Sequence, residues 1–141
     1  MQNILFVHPD VAVRDKVSFL LQHAGFQVVG APGAQPAMTE LGKGCPDLII
    51  MAEQSRILNG DELCIRIRQV CQTPIIILGQ NHEEAAGIEF LEMGADAYLT
   101  SPLDMRELLA RVRSLLRRYG EEKQSASYGT GKGITFFGDM S

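Results

Sequence analysis

The chain has 141 residues, 45% of them hydrophobic and 21% charged, which is typical of a soluble globular domain and excludes a disordered or fibrous protein. Its formal net charge is −4, from 13 lysines and arginines against 17 acidic residues, so it lacks the basic excess of a nucleic-acid-binding surface. No apolar run approaches the ~20 residues that span a bilayer, and the start MQNILFV has no basic signal-peptide region, so we expect a cytoplasmic protein.

Short apolar runs and amphipathic helical stripes alternate along the first half of the chain. The run NILFV ends at His8-Pro9, where proline cannot continue a central strand, and Gly25 follows a helical stripe at the place of a C-terminal cap. The predicted elements are a strand over Asn3–Val7, a helix over Val11–Ala24, a strand over Phe26–Val29, a short helix opened by Pro36 and closed by Gly42 or Gly44, and a strand over Leu48–Met51.

The same alternation continues in the second half. Asp104 is predicted to cap the last helix, because Glu107 follows it at the capping-box position. The predicted elements are a helix over Gly60–Cys71, a strand over Ile75–Leu78, a helix over His82–Met93, a strand over Ala97–Thr100, and a helix that runs through Arg118. Five strand–helix pairs predict an α/β fold, in which helices cover both faces of a parallel sheet.

The three cysteines give no metal-binding or disulfide pattern. They include no C-x-x-C pair, and Cys64 and Cys71 would lie ~10 Å apart along one helix, which is too far to bond. The sequence therefore predicts that Cys45, Cys64 and Cys71 are buried thiols.

Four segments carry a resemblance to a known family: NILFV, PDLII, TPIIIL and GADAYLTSPLDMRELLARVRSLLRR, the last over residues 94–118. Across residues 2–119 the chain resembles the receiver domain of two-component response regulators, and the last segment resembles its winged-helix (OmpR/PhoB) subfamily. The resemblance implies a flavodoxin-like, doubly wound sheet of five parallel strands in the order 2-1-3-4-5, with five helices.

The end of the chain differs in composition from the rest. From Gly120 the segment EEKQSASYGTGKG is typical of a linker, and ITFFGDMS, residues 134–141, resembles the opening strand before a winged-helix domain. We therefore expect a receiver-like domain over residues 1–119, and over residues 120–141 a linker and the start of a C-terminal DNA-binding domain. The chain is then an excised regulatory module of a longer bacterial transcription factor.

The resemblance also implies a phosphorylation site, but its positions fall on residues without the required chemistry. The family's magnesium-binding acid pair falls on His8 and Pro9, and its phosphoacceptor aspartate falls on Ala52. The hydroxyl residue after the fourth strand falls on Gly79, and the phosphate-binding lysine falls on Ser101. Metal, nucleophile, switch hydroxyl and countercharge are lost together. We expect a pseudo-receiver with no catalytic residue, metal or cofactor, and not an enzyme.

Other readings of these residues stay open. Asp10, Glu53 and Asn59 are candidates for an improvised cation site, and His8 is a candidate for a pH switch or, with Asp10, for a phosphatase or hydrolase. The vacated cleft near Ala52 also suits an adaptor or a small-molecule sensor, which acts through a metabolite or through contacts with a partner protein.

The resemblance also implies a homodimer formed by the fourth helix, the fifth strand and the fifth helix. Tyr98 matches the family's switch aromatic on the fifth strand. An ion pair between Asp96 and Arg118 is kept, whereas Arg111 and Glu107 lose their partners because Ala97 and Gly87 replace them. The expected interface residues are Ile88, Leu91, Asp96, Glu107, Ala110, Arg111 and Arg118. DNA is expected to be bound only through the C-terminal domain.

Overall fold

A five-stranded parallel sheet in the order β2-β1-β3-β4-β5 forms the centre of the computed structural model, which describes residues 2–53, 60–80 and 84–128. The strands are β1 (Asn3–Val7), β2 (Gln27–Ala31), β3 (Leu48–Ala52), β4 (Ile75–Gly79) and β5 (Ala97–Thr100). The helices are α1 (Val11–His23), α2 (Ala34–Gly42), α3 (Gly60–Val70), α4 (Glu84–Glu92) and α5 (Met105–Tyr128). The predicted α/β fold and strand order are confirmed.

The central strands β3 and β4 carry the most continuous apolar sequences. All five residues of β3 are buried, as are four of the five in β4. Such strands need no polar face, because helices cover the sheet on both sides. Burial of each large aliphatic side chain here contributes about 1.5–3 kcal/mol to folding before the entropy cost.

The sheet separates two hydrophobic cores. One contains Met51 and Ile77 with residues of α2, α3 and α4, including Leu41, Ile67 and Phe90. The other contains Phe6 and Ile50 with residues of α1 and α5, such as Leu21 and Val112. Alternate residues of each strand enter opposite cores, so the position of a residue along its strand decides which core its side chain joins.

Local sequence signals explain the helix ends. The Asp10 carboxylate accepts hydrogen bonds from the backbone N–H groups of Ala12 and Val13 and so caps α1. After α1, Gly25 adopts a φ of +106°, which favours glycine. The fourth helix was predicted from His82, but residues 81–83 lie outside the described residues.

The last helix is longer than predicted. We expected it to run through Arg118 and a linker to begin at Gly120, but α5 continues to Tyr128. The residues after Gly120 include Glu121, Glu122 and Lys123, which favour helix, and one interior glycine costs only about 1 kcal/mol relative to alanine. The predicted strand over residues 134–141 lies outside the described residues.

The prediction of three buried thiols is wrong for two of them. Cys45 and Cys71 form a disulfide with a Cα–Cα distance of 5.9 Å, and Cys45 is exposed. Cys45 precedes β3 and Cys71 precedes β4, and these strands are neighbours, so the two cysteines meet at the amino edge of the sheet. Only the prediction for Cys64, a buried thiol outside the disulfide, is confirmed.

Among the described helices, none is both long enough and apolar enough to cross a bilayer.

Candidate functional site

The predicted phosphorylation-site positions lie at the carboxyl edge of the sheet. The register of β1, β3, β4 and β5 places the ends of these strands side by side. The backbone N–H of Ser101 donates to the carbonyl of Gly79 at 3.2 Å, which ties the last two ends together. The structure thus brings to one edge the five positions His8, Pro9, Ala52, Gly79 and Ser101.

Ala52 ends β3 at the centre of this edge and is 6% exposed. Transfer of a phosphoryl group to a side chain requires a nucleophilic oxygen, nitrogen or sulfur atom. The Ala52 side chain is a methyl group and has none. Ala52 itself therefore cannot accept a phosphoryl group.

His8 is half-buried and favours its neutral form. Its Nδ1 accepts a hydrogen bond from the backbone N–H of Asp10 at 3.1 Å, which requires that Nδ1 carry no proton. Burial lowers the pKa of His8 below 6.5; the nearby Arg14 acts in the same direction, and Asp10 opposes them. A neutral imidazole supplies no countercharge for a phosphoryl group at this edge.

Two side chains of the candidate cation site, Asp10 and Glu53, have other roles. Asp10 caps α1, with its Oδ1 2.9 Å from the Ala12 nitrogen, and Glu53 bonds Tyr98 and the backbone of Gln80. Asn59 lies outside the described residues. Within residues 2–53, 60–80 and 84–128, no group of three or more His, Cys, Asp or Glu residues is placed to hold a metal ion.

Glu53 has a role that sequence reasoning missed. Its Oε1 accepts hydrogen bonds from the Tyr98 hydroxyl at 2.6 Å and from the backbone N–H of Gln80 at 3.1 Å. Strand alternation contained the signal, because Glu53 lies two residues after Met51, which shares a hydrophobic core with Tyr98. Glu53 therefore joins the ends of β3, β4 and β5.

The ring of Tyr98 lies under α4. It stacks on Phe90, with 5.7 Å between ring centroids and 26° between ring planes. A Cβ atom at Gly87 would lie 3.2 Å from the Tyr98 Cδ1, so the ring also contacts the backbone of α4. A side chain at position 87 would therefore crowd this ring.

The predicted dimer residues are exposed, except for Asp96, which lies between α4 and β5. Ile88 and Leu91 are 49% and 47% exposed, and these are high values for large aliphatic side chains. The other exposed members of this set are Glu107, Ala110, Arg111 and Arg118.

Asp96 is the exception, because its carboxylate is bound within the chain. Oδ2 accepts from Arg68 Nη2 at 3.0 Å and from the backbone N–H of Ile75 at 2.8 Å, and Oδ1 accepts from the Tyr119 hydroxyl at 2.9 Å. Sequence reasoning assigned Asp96 to an intermolecular pair with Arg118 and missed Arg68. The described contacts make Asp96 an internal tie between α3, β4 and α5.

Comparison with known proteins agrees with this architecture. The family model for the response regulator receiver domain matches residues 4–113. The chain is 30% identical over 129 residues to the sensory transduction protein RegX3 of Mycobacterium tuberculosis, which covers 92% of the chain and 57% of RegX3. It is 34% identical over 122 residues to the phosphate regulon transcriptional regulatory protein PhoB of Pseudomonas aeruginosa, with coverage of 84% and 52%.

Solved structures share the fold. A two-component response regulator from Clostridium difficile superposes with a TM-score of 0.81 at 28% identity, over 84% of this chain and 98% of that one. The chain spans little more than half the length of the two curated relatives.

Proposed function

Because this chain belongs to the response regulator receiver domain family, we propose that it is a regulatory module that pairs with a second copy of itself without being phosphorylated. The observation that carries this proposal is the methyl group of Ala52 at the end of β3. In a receiver domain the carboxylate at this position is the group that becomes phosphorylated, and the methyl group of Ala52 cannot replace it. On this proposal the module regulates through self-pairing of the folded chain and not through phosphorylation.

The neighbouring positions support the same proposal. His8 and Pro9 supply no carboxylate oxygen for a magnesium ion, and Ser101 supplies no cation for a transferred phosphoryl group. These groups act together in phosphoryl transfer, so their joint replacement removes each requirement of the reaction. Residues 1–119 are, on this proposal, a pseudo-receiver.

The names of the relatives support a role in transcription. PhoB is named a transcriptional regulatory protein, as is AfsQ1 of Streptomyces coelicolor, which is 34% identical over 131 residues. We place this chain in the winged-helix subfamily, with DNA bound by a C-terminal domain whose start lies within residues 120–141. Pairing of receivers would then position two DNA-binding domains on adjacent half-sites.

The dimer surface we propose consists of the exposed side chains of α4 and α5. Ile88 and Leu91 provide its apolar centre, and burying them against a second copy would remove the largest aliphatic exposure on α4. The exposed Glu89 and Glu92 of α4 are opposite in charge to Arg111 and Arg118 of α5. A two-fold pairing sets α4 of one copy near α5 of the other and so matches these charges.

Replacement of Leu91 with glutamate tests this surface. The substitution removes apolar contact and introduces a charge, so we expect self-association to weaken by about 10- to 100-fold. Ile65→Glu is the matched control, because Ile65 on α3 is 48% exposed and lies outside the proposed surface. Sedimentation equilibrium measures both variants. Equal dissociation constants for Leu91→Glu and the unsubstituted chain would reject the surface.

A further inference from the structure

The ring of Tyr98 occupies the space that any side chain at position 79 would need. A Cβ atom built on Gly79 would lie 2.2 Å from both the Cζ and the hydroxyl oxygen of Tyr98, and 2.7 Å from Cε2. Non-bonded carbon atoms pack at about 3.5–4.0 Å, so even alanine at position 79 is incompatible with the ring in this position. Gly79 is therefore what allows Tyr98 to lie over the end of β4.

Glu53 holds the hydroxyl end of the ring. Its Oε1 lies 2.6 Å from the Tyr98 hydroxyl and 3.1 Å from the backbone nitrogen of Gln80. Glu53 is itself anchored, because its backbone N–H donates to the carbonyl of Leu78 at 2.9 Å. The phenol thus bonds to a group fixed on the sheet, directly beside the residue that lacks a side chain.

The other end of the ring contacts α4. Phe90 stacks on one side of it, and the backbone at Gly87 lies close enough that a Cβ there would be 3.2 Å from Cδ1. The exposed Ile88 and Leu91 belong to the same helix. Any movement of the ring out of this position therefore removes its packing against Phe90 and the backbone of α4.

We infer that Gly79 and Glu53 keep the Tyr98 ring in one position, and we call the space left by Gly79 together with the hydrogen bond to Glu53 the Tyr98 seat. With the ring in this seat, α4 is held in the arrangement that pairs with a second copy, with no phosphoryl group present. Glu53 is a positioning residue in this device: it acts on the dimer surface only through Tyr98 and α4. This inference rests on the proposed function for its consequence, the self-pairing through α4, whereas the seat itself is a property of the single chain.

Gly79→Ala tests the seat by filling it. We expect the ring to leave, so the nuclear Overhauser contacts between Tyr98 and Phe90 disappear and nitration of Tyr98 by tetranitromethane, followed by peptide mass spectrometry, becomes at least about tenfold faster. Gly42→Ala is the matched control, because a Cβ there meets nothing within 4 Å. Unchanged Tyr98–Phe90 contacts in Gly79→Ala would overturn the inference.

Two variants at position 53 test the hydrogen bond without adding bulk near the ring. Glu53→Gln keeps a carbonyl oxygen that accepts from both donors, so Tyr98 nitration stays at the unsubstituted rate. Glu53→Ala removes the acceptor, and nitration becomes several-fold faster. If both variants nitrate equally, Glu53 only fills space and the positioning role is overturned. If Gly79→Ala does not fold, these two variants still decide whether Glu53 positions the Tyr98 ring.

Sedimentation equilibrium on the same variants separates the inference from the proposed function. Gly79→Ala and Glu53→Ala are expected to weaken self-association by about 5- to 100-fold, and Glu53→Gln is not. A displaced ring with an unchanged dissociation constant would overturn the coupling of seat to surface, while self-pairing stands. A monomeric unsubstituted chain would reject the proposed function, and the nitration rates would still decide whether the seat exists.

Discussion

Replacement of Arg68 with alanine is expected to lower the free energy of unfolding by about 3 kcal/mol. The half-buried guanidinium donates to the carbonyls of Cys71, Thr73 and Gly94 and forms an ion pair with Asp96 at 3.0 Å. Removing it leaves three carbonyls without this donor and a half-buried carboxylate without its cation. Gly94 adopts a φ of +111°, which favours glycine, and a Cβ there would also lie 3.1 Å from Arg68.

Urea unfolding, followed by circular dichroism, measures the change. Arg66→Ala is the control, because Arg66 lies on the same helix and is exposed, so its loss is expected to change stability by less than about 0.5 kcal/mol. Arg68→Lys keeps the charge but loses the planar donor geometry. Its free energy of unfolding is therefore expected to lie between those of Arg68→Ala and Arg66→Ala. Equal midpoints for Arg68→Ala and Arg66→Ala would contradict a structural role for the network.

Loss of the disulfide between Cys45 and Cys71 has a similar expected effect. The bond closes a loop with a sequence separation of 26 residues, and the chain-entropy relation gives about 3.5 kcal/mol for a loop of this size. Cys45→Ser is therefore expected to lower the free energy of unfolding by that amount. In a reducing compartment the protein would lose this contribution.

A reductant provides the control for the disulfide. The oxidised chain is expected to lose stability when dithiothreitol is added, whereas Cys45→Ser is expected to be indifferent to it. A thiol count on the denatured, unreduced protein should find one thiol, that of Cys64, which is not part of the disulfide. Three free thiols in protein purified without reductant, together with no response to dithiothreitol, would contradict the bond.

The features predicted correctly are those that local patterns determine. Apolar runs such as Leu48–Met51 and caps such as Asp104 are set by neighbouring residues, and the alternation of strands and helices then leaves few possible topologies. The carboxyl edge follows directly, because parallel strands end together. His8, Ala52, Gly79 and Ser101 could therefore be assigned to one edge from the sequence.

The features that were missed depend on contacts between distant residues. Cys45 meets Cys71 only because β3 and β4 are neighbours in register, and Arg68 reaches Asp96 only because α3 packs beside the start of β5. The long α5 was missed for a different reason: a charged, polar sequence is compatible with both a linker and an exposed helix.

The contact between Glu53 and Tyr98 lies between these cases. Alternation along β3 places Glu53 on the face that Tyr98 shares, so the sequence contains half of the signal. The other half is the absent side chain at Gly79, whose effect becomes visible only when the position of the ring is known. A residue without a side chain gives no periodicity or charge signal.

Mass in solution is the most direct test of phosphorylation-independent pairing. Light scattering would follow the full 141-residue chain across a concentration series, with and without magnesium and acetyl phosphate. We predict a dimer whose concentration dependence is the same in both conditions, because Ala52 offers no acceptor atom. A monomer that pairs only when magnesium and acetyl phosphate are present would contradict the proposal, since another residue would then be accepting the phosphoryl group.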